Sequence, residues 1–264
     1  MDAVYLLLLA ALGVLGGTLS GLVGVGGGII FVPALVYAAG WNIQEAVAAS
    51  LVLIVFSSLS GTVRNISSEN PVNWRVVGIL SAVAVPAALV GVFVSYVFGK
   101  TVVEAAFSAL LLALAYPTAR GRSEQEEEEG EGERKMPLPL VLLASVGIGT
   151  LAGLLGVGGG ALLVPLMVLG FGSSTKTASS NSLAIIFSIG VVGSAAYIAT
   201  GYSYLLKSLP PLIVGALVGA WVGVRIRDSI PEKAVRWGFG GQPLMEALQF
   251  LSKSPGLYPS DLRH

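Results

Sequence analysis

Gly17-Thr-Leu-Ser-Gly-Leu-Val-Gly-Val-Gly-Gly-Gly-Ile-Ile-Phe-Val-Pro33 decides the reading of this chain, because it occurs twice. Its second copy is Gly149-Thr-Leu-Ala-Gly-Leu-Leu-Gly-Val-Gly-Gly-Gly-Ala-Leu-Leu-Val-Pro165. The offset, Pro33 to Pro165, is 132 residues. The same offset pairs Ala46 with Ala178, Ser50 with Ser182, Leu51 with Leu183, Gly61 with Gly193 and Gly91 with Gly223. The chain therefore reads as an internal duplication. Repeat one covers 1–117 and repeat two 137–264, joined by an acidic linker over 118–136.

Each copy lies inside an apolar run too long for one membrane span, 3–40 and 138–171. A full helix, a glycine-rich break and a short helix fit each run. In the first run these are 3–22, 23–28 and 29–39. The short helix would cover roughly 16 Å, about half of a bilayer's hydrocarbon core. The other spans are expected at 46–63, 76–98, 101–117, 178–199 and 208–224. The fold class is thus all-α, a polytopic helical membrane protein with broken helices at paired glycine motifs.

Composition agrees. Of 264 residues, 54% are hydrophobic and 11% charged, against about 25% charged in soluble domains. Lys and Arg total 15, as do Asp and Glu. Seven of the acids lie in one run, Glu124, Glu126, Glu127, Glu128, Glu129, Glu131 and Glu133. That run reads as a solvated, disordered linker. With no basic patch interleaved with aromatics, nucleic acid is not an expected partner. With no Cys, and His264 the one histidine, neither a metal site nor a cofactor nor thiol or imidazole catalysis is expected. The chain is read as a non-enzyme whose partners are the lipid bilayer and a small solute. Asn65-Ile-Ser67 matches the glycosylation pattern by chance.

Basic residues set orientation. Arg64 and Arg75 flank one loop, and Arg120, Arg122, Arg134 and Lys135 flank the linker. Arg225, Arg227, Lys233 and Arg236 are expected in the last loop. If these are cytoplasmic, so is the linker, and repeat one makes an odd number of crossings. Repeat two then starts from the opposite side. This inverted duplication is preferred to a parallel one with four simple spans per repeat.

Glycine frees the backbone and clears side chains from an approach path. A helix starting after such a break offers free N–H groups and a positive dipole end, which suits an anion. Paired broken segments in corresponding halves point to a transporter site. The expected substrate contacts are Gly26, Gly27 and Gly28 with Gly158, Gly159 and Gly160. Ser50, Asn181 and Ser182 would add side-chain donors, while Pro33 and Pro165 would kink the short helices. The competing explanation for the glycines is close helix packing. Lys176, Glu45 and Glu104 lie near span ends and read as anchors or caps. No titratable residue falls mid-span, so anion binding is assigned to backbone rather than to Arg or Lys.

The two Gly-Leu-(Val/Leu)-Gly-Val-Gly-Gly-Gly motifs, each followed by Val-Pro, resemble the TauE/SafE family of membrane permeases. The similarity runs from about Val4 to Trp237. It includes the Gly-rich helix Val214-Gly-Ala-Leu-Val-Gly-Ala-Trp-Val-Gly223. The resemblance implies transport of small sulfur-containing anions such as sulfite, sulfoacetate or related sulfonates across the cell membrane. One departure concerns the closing span. Gly240, Gly241, Pro243 and Glu246 spoil a helix there, leaving at most a short interfacial helix over 244–252. A homodimer would cover the surface such a loss exposes. An anion channel, or a non-transporting scaffold with a degenerate permease core, are the alternative functions.

Overall fold

A computed structural model describes residues 3–24, 26–66, 71–119 and 136–229. Residues 120–135 of the expected linker 118–136 and everything after Ser229 lie outside the described residues, including the expected interfacial helix at 244–252.

All described elements are helical. They are α1 (Ala3–Val23), α2 (Gly28–Tyr37), α3 (Ile43–Ile66), α4 (Trp74–Ala119), α5 (Leu138–Leu155), α6 (Gly160–Phe171), α7 (Thr175–Ala199), a 3-10 turn (Tyr202–Lys207) and α8 (Pro210–Ser229). Six of them hold segments long and apolar enough to cross a membrane. α2 and α6, at 10 and 12 residues, are too short. α4 has 46 residues, about 69 Å of helix, more than twice the hydrocarbon core. Gly99 breaks it with φ 70° and ψ −166°, at the point where the sequence separates 76–98 from 101–117.

Contacts between chain-distant residues sort the helix ends into two sets. At the first end, Trp41 Nε1 donates to Tyr5 OH at 3.2 Å. The chain has therefore turned back between α1 and α2, which form a hairpin. Gln44 Nε2 donates to Ser95 O at 3.1 Å, and Tyr204 OH donates to Glu45 Oε1 at 2.6 Å. Glu45 Oε2 also accepts from Asn42 N at 3.1 Å, the capping role expected of it. At the second end, Asn73 N donates to Asn181 Oδ1 at 2.7 Å and Arg227 Nη2 donates to Asn65 Oδ1.

Glycines set the lateral packing. A Cβ on Gly13, Gly17 or Gly21 of α1 would strike the backbone of α8 at Leu212, Ala216 and Ala220. A Cβ on Gly215, Gly219 or Gly223 of α8 would strike α1 in return. α5 meets α4 likewise, Gly149 lying on Ala84 and Gly153 on Ala88. The offset maps Ala84 onto Ala216 and Ala88 onto Ala220, so each repeat's first helix packs on the other repeat's last. α5 also runs parallel to α4, which enters from the second end, whereas α1 enters from the first. The explanation by close packing thus holds for the glycines within helices. The small residues let helix axes approach where lipid supplies no hydrophobic drive.

One expectation is corrected. Arg225 and Arg227 do not lie in a loop, because α8 continues to Ser229. Arg227 is fully buried against α3, held by Asn65 and by Asp228 Oδ1 at 3.4 Å. The span ended early in the sequence because hydropathy penalises arginine, whereas these bonds let the helix keep it.

Two measurements check this packing. Gly17→Val should lower the thermal midpoint in detergent, with a cost of roughly 1–3 kcal/mol or more from overpacking. Gly78→Ala, where a Cβ meets nothing within 4 Å, should leave it unchanged or raise it. At the first end, the Glu45 hydrogen bond lifts the Tyr204 hydroxyl from 10.0 to about 12. The raised value means that the bond contributes fully below about pH 10 and is lost as pH climbs through about 12. Glu45→Gln should return the Tyr204 transition toward 10, read as phenolate absorbance against a Tyr204→Phe control.

Candidate functional site

The two breaks have one conformation. Gly24, Gly26 and Gly27 take φ of 79°, 85° and 74°; Gly156, Gly158 and Gly159 take 67°, 76° and 76°. These left-handed values cost L-residues roughly 1–2 kcal/mol each, which is why the stretch is glycine. α1 closes with Gly24 N donating to Ser20 O at 2.8 Å, and α5 with Gly156 N donating to Ala152 O at 3.0 Å. α6 opens with Leu162 N and Leu163 N donating to Gly159 O at 3.1 and 2.9 Å. α2 opens in the same way, Ile30 N and Phe31 N donating to Gly27 O, both at 2.9 Å. The amides of Gly158, Gly159, Gly160 and Ala161 thus precede the first intrahelical bonds. None has a backbone partner among the described residues.

The breaks converge. A Cβ on Gly28 would overlap Gly156 O and lie 2.5 Å from Val157 Cα. A Cβ on Gly26 and one on Gly158 would each lie 2.9 Å from Ile186 Cγ2. Ile54 stands on the other side, its Cγ2 at 3.8 and 3.5 Å from the same two points. Ile54 and Ile186 are related by the 132-residue offset. The two short helices therefore start at the middle of the bundle, around this isoleucine pair.

Two serines tie the breaks to the opposite repeat. Ser50 Oγ on α3 donates to Gly156 O at 2.7 Å. Ser182 Oγ on α7 donates to Gly24 O at 2.9 Å. Both are fully buried, and both satisfy a carbonyl just past the C-terminal end of a helix. Ser179 Oγ adds a bond to Val23 O at 3.0 Å. Backbone groups that water would satisfy in a soluble protein are here satisfied by side chains.

The structure brings together Gly26, Gly27, Gly28, Gly158, Gly159, Gly160, Ser50 and Ser182. The serine hydroxyl protons are committed to carbonyls rather than directed at open space. Asn181 lies nearer the second end, 1% exposed; its Oδ1 is held by Asn73 and its Nδ2 has no partner among the described residues. Pro33 is buried within α2, while Pro165 is exposed on α6. A cavity beside Gly159, lined by Leu110, Leu151, Ala152, Val157, Ala161 and Leu162, measures about 10 Å³. It has room for one water and none for an oxyanion.

Sequence reading missed the Ile54–Ile186 pair and the Asn65–Arg227 pair. The offset alone could have found the first. The spacing Gly215, Gly219, Gly223, Arg227 could have found the second, since steps of four keep one helix face and that face is the packed one.

Comparison with known proteins fits this architecture. The sulfite exporter TauE/SafE family model matches residues 9–245. The chain belongs to the sulfite exporter TauE/SafE family. Among its relatives is the probable membrane transporter protein YunE of Bacillus subtilis. It is 30% identical over 250 residues, covering 86% of this chain and 90% of that one. Probable membrane transporter proteins of Methanocaldococcus jannaschii and Haemophilus influenzae are each 26% identical, covering 88% and 89% of this chain and 91% and 94% of their own. No solved structure matches. Membership makes the protein a multi-pass membrane transporter, with the paired breaks at its centre.

Removing a serine tie exposes its worth. Ser50→Ala and Ser182→Ala should each cost about 1–3 kcal/mol, because a buried carbonyl loses its donor. The two losses should be similar, as the two environments are related by the offset. Denaturation of each variant in detergent reads them out.

Proposed function

We propose that the chain is a carrier for small sulfur-containing oxyanions, sulfite or organic sulfonates, in the cell membrane. The observation that carries the proposal is the meeting of two helix N-termini at the bundle centre, with the amides of Gly158–Gly160 lacking backbone partners. Such amides, at the positive end of a helix dipole, stabilise an anion without a lysine or arginine beside them. The family description supplies the sulfur chemistry.

The serines then act as hinges. An anion drawing on the glycine amides competes with nothing at Ser50 or Ser182, whose protons are engaged elsewhere. The same hydroxyls hold each break to the partner repeat while the repeats move. We read the two repeats as an inverted duplication whose rocking alternates access. The basic residues support an orientation with the second end in the cytoplasm, since Arg64, Arg75, Lys176, Arg225 and Arg227 lie toward it and Lys100 and Lys207 toward the first. The 118–136 linker would then be cytoplasmic. The closed centre favours a carrier over an open channel. A homodimer covering the part of repeat two that a lost closing span would expose stays part of the proposal.

Sulfite flux into proteoliposomes tests it. The wild type should show saturable uptake and counterflow. Gly159→Leu places a side chain at φ 76° and 2.8 Å from Ile148 Cγ2, and should reduce flux by about tenfold or more. Undiminished flux in that variant would overturn the site. Unitary currents in a planar bilayer would overturn the carrier mechanism.

A further inference from the structure

Arg227 is a buried cation on the face of α8 whose preceding members, Gly215, Gly219 and Gly223, pack on α1. It is 0% exposed. Its Nη2 donates to Asn65 Oδ1 and lies 3.4 Å from Asp228 Oδ1. Its Nε and Nη1 are buried and have no hydrogen-bond partner among the described residues. A buried guanidinium is ordinarily retained only where every N–H is satisfied, because desolvating the charge is otherwise uncompensated. Here two of its three nitrogens still have donors to give.

The packing ladder tells where those donors sit. A Cβ on Gly219 would meet Val14 and Thr18, and one on Gly223 would meet Thr18 and Leu22. One further turn places Arg227 beside the C-terminal end of α1, next to the break at Gly24–Gly27. The charged neighbours are few. Asp228 is partly exposed at 18%, and Arg64 turns away to stack over Trp221 at 5.5 Å. The offset makes Ser95 the equivalent of Arg227 and Tyr197 that of Asn65. The first end of the bundle has no cation at this position.

We propose that Arg227, oriented by Asn65, is an anion-docking subsite through which a substrate oxyanion reaches the glycine breaks from the second end. The inference rests on the anion-carrier reading above and adds a residue and a direction to it. An oxyanion would accept from Nε and Nη1, completing the guanidinium's hydrogen bonds with charge-assisted ones. Because the first end offers Ser95 instead, apparent affinity should be higher from the Arg227 side.

Titration of the purified full-length chain with sodium sulfite, by calorimetry and thermal shift, tests the proposal. Arg227→Gln should weaken binding by about tenfold or more, with Arg227→Lys recovering part of it. Asp228→Asn removes the carboxylate competing for the guanidinium and should tighten binding several-fold. This second variant keeps the test decisive where Arg227→Gln fails to fold. Wild-type affinity in Arg227→Gln would overturn the subsite. So would unchanged or weaker binding in Asp228→Asn, which marks the ion pair as purely structural. Absence of binding by the wild type to sulfite and to sulfonates alike would instead overturn the anion-carrier reading itself.

Discussion

A backbone that stops being helical inside a membrane has no water to turn to, and this constraint organises the molecule. α1 and α5 both end in mid-bundle. The carbonyls of Gly24 and Gly156 there would be orphaned. Ser182 and Ser50 answer them, each reaching from the other repeat. The breaks are therefore affordable only in pairs. Each break takes its donor from the opposite half of the chain, Gly24 from Ser182 and Gly156 from Ser50.

The amides have the opposite fate. Carbonyls at the ends of α1 and α5 are satisfied by fixed side chains, whereas amides at the start of α6 have no backbone partner among the described residues. The centre is thus polarised: acceptors are closed off, donors remain. That polarity, with the methyl groups of Ile54 and Ile186 beside it, is the observation on which the anion proposal rests.

Much of this was legible in the sequence, because glycine and serine at these places have physical reasons visible in one dimension. The left-handed turns at Gly26, Gly27, Gly158 and Gly159 need glycine, and the 132-residue offset made the pairing plain. What escaped was tertiary. Ser50 and Ser182 were expected to face a ligand, and what the sequence did not announce is that their hydroxyls donate to carbonyls about a hundred residues away or more. No periodicity encodes such a contact. Arg227 escaped for another reason. Hydropathy treats arginine as a span terminator, and only the neighbouring Asn65, itself near a span end, explains why a buried one is tolerated. The conclusion that charge was absent from the packed helices followed from that truncation and is corrected by the same residue.

The seam between α1 and α8 has a mechanical consequence. Its contacts are backbone against backbone at Gly13, Gly17 and Gly21 on one side and Gly215, Gly219 and Gly223 on the other. The pattern also repeats every four residues, so sliding one helix along the other by about 6 Å sets glycine over glycine again. Most helix pairs have one register, fixed by their knobs. This pair has instead a seam of evenly spaced small residues, along which more than one register brings glycine against the facing backbone.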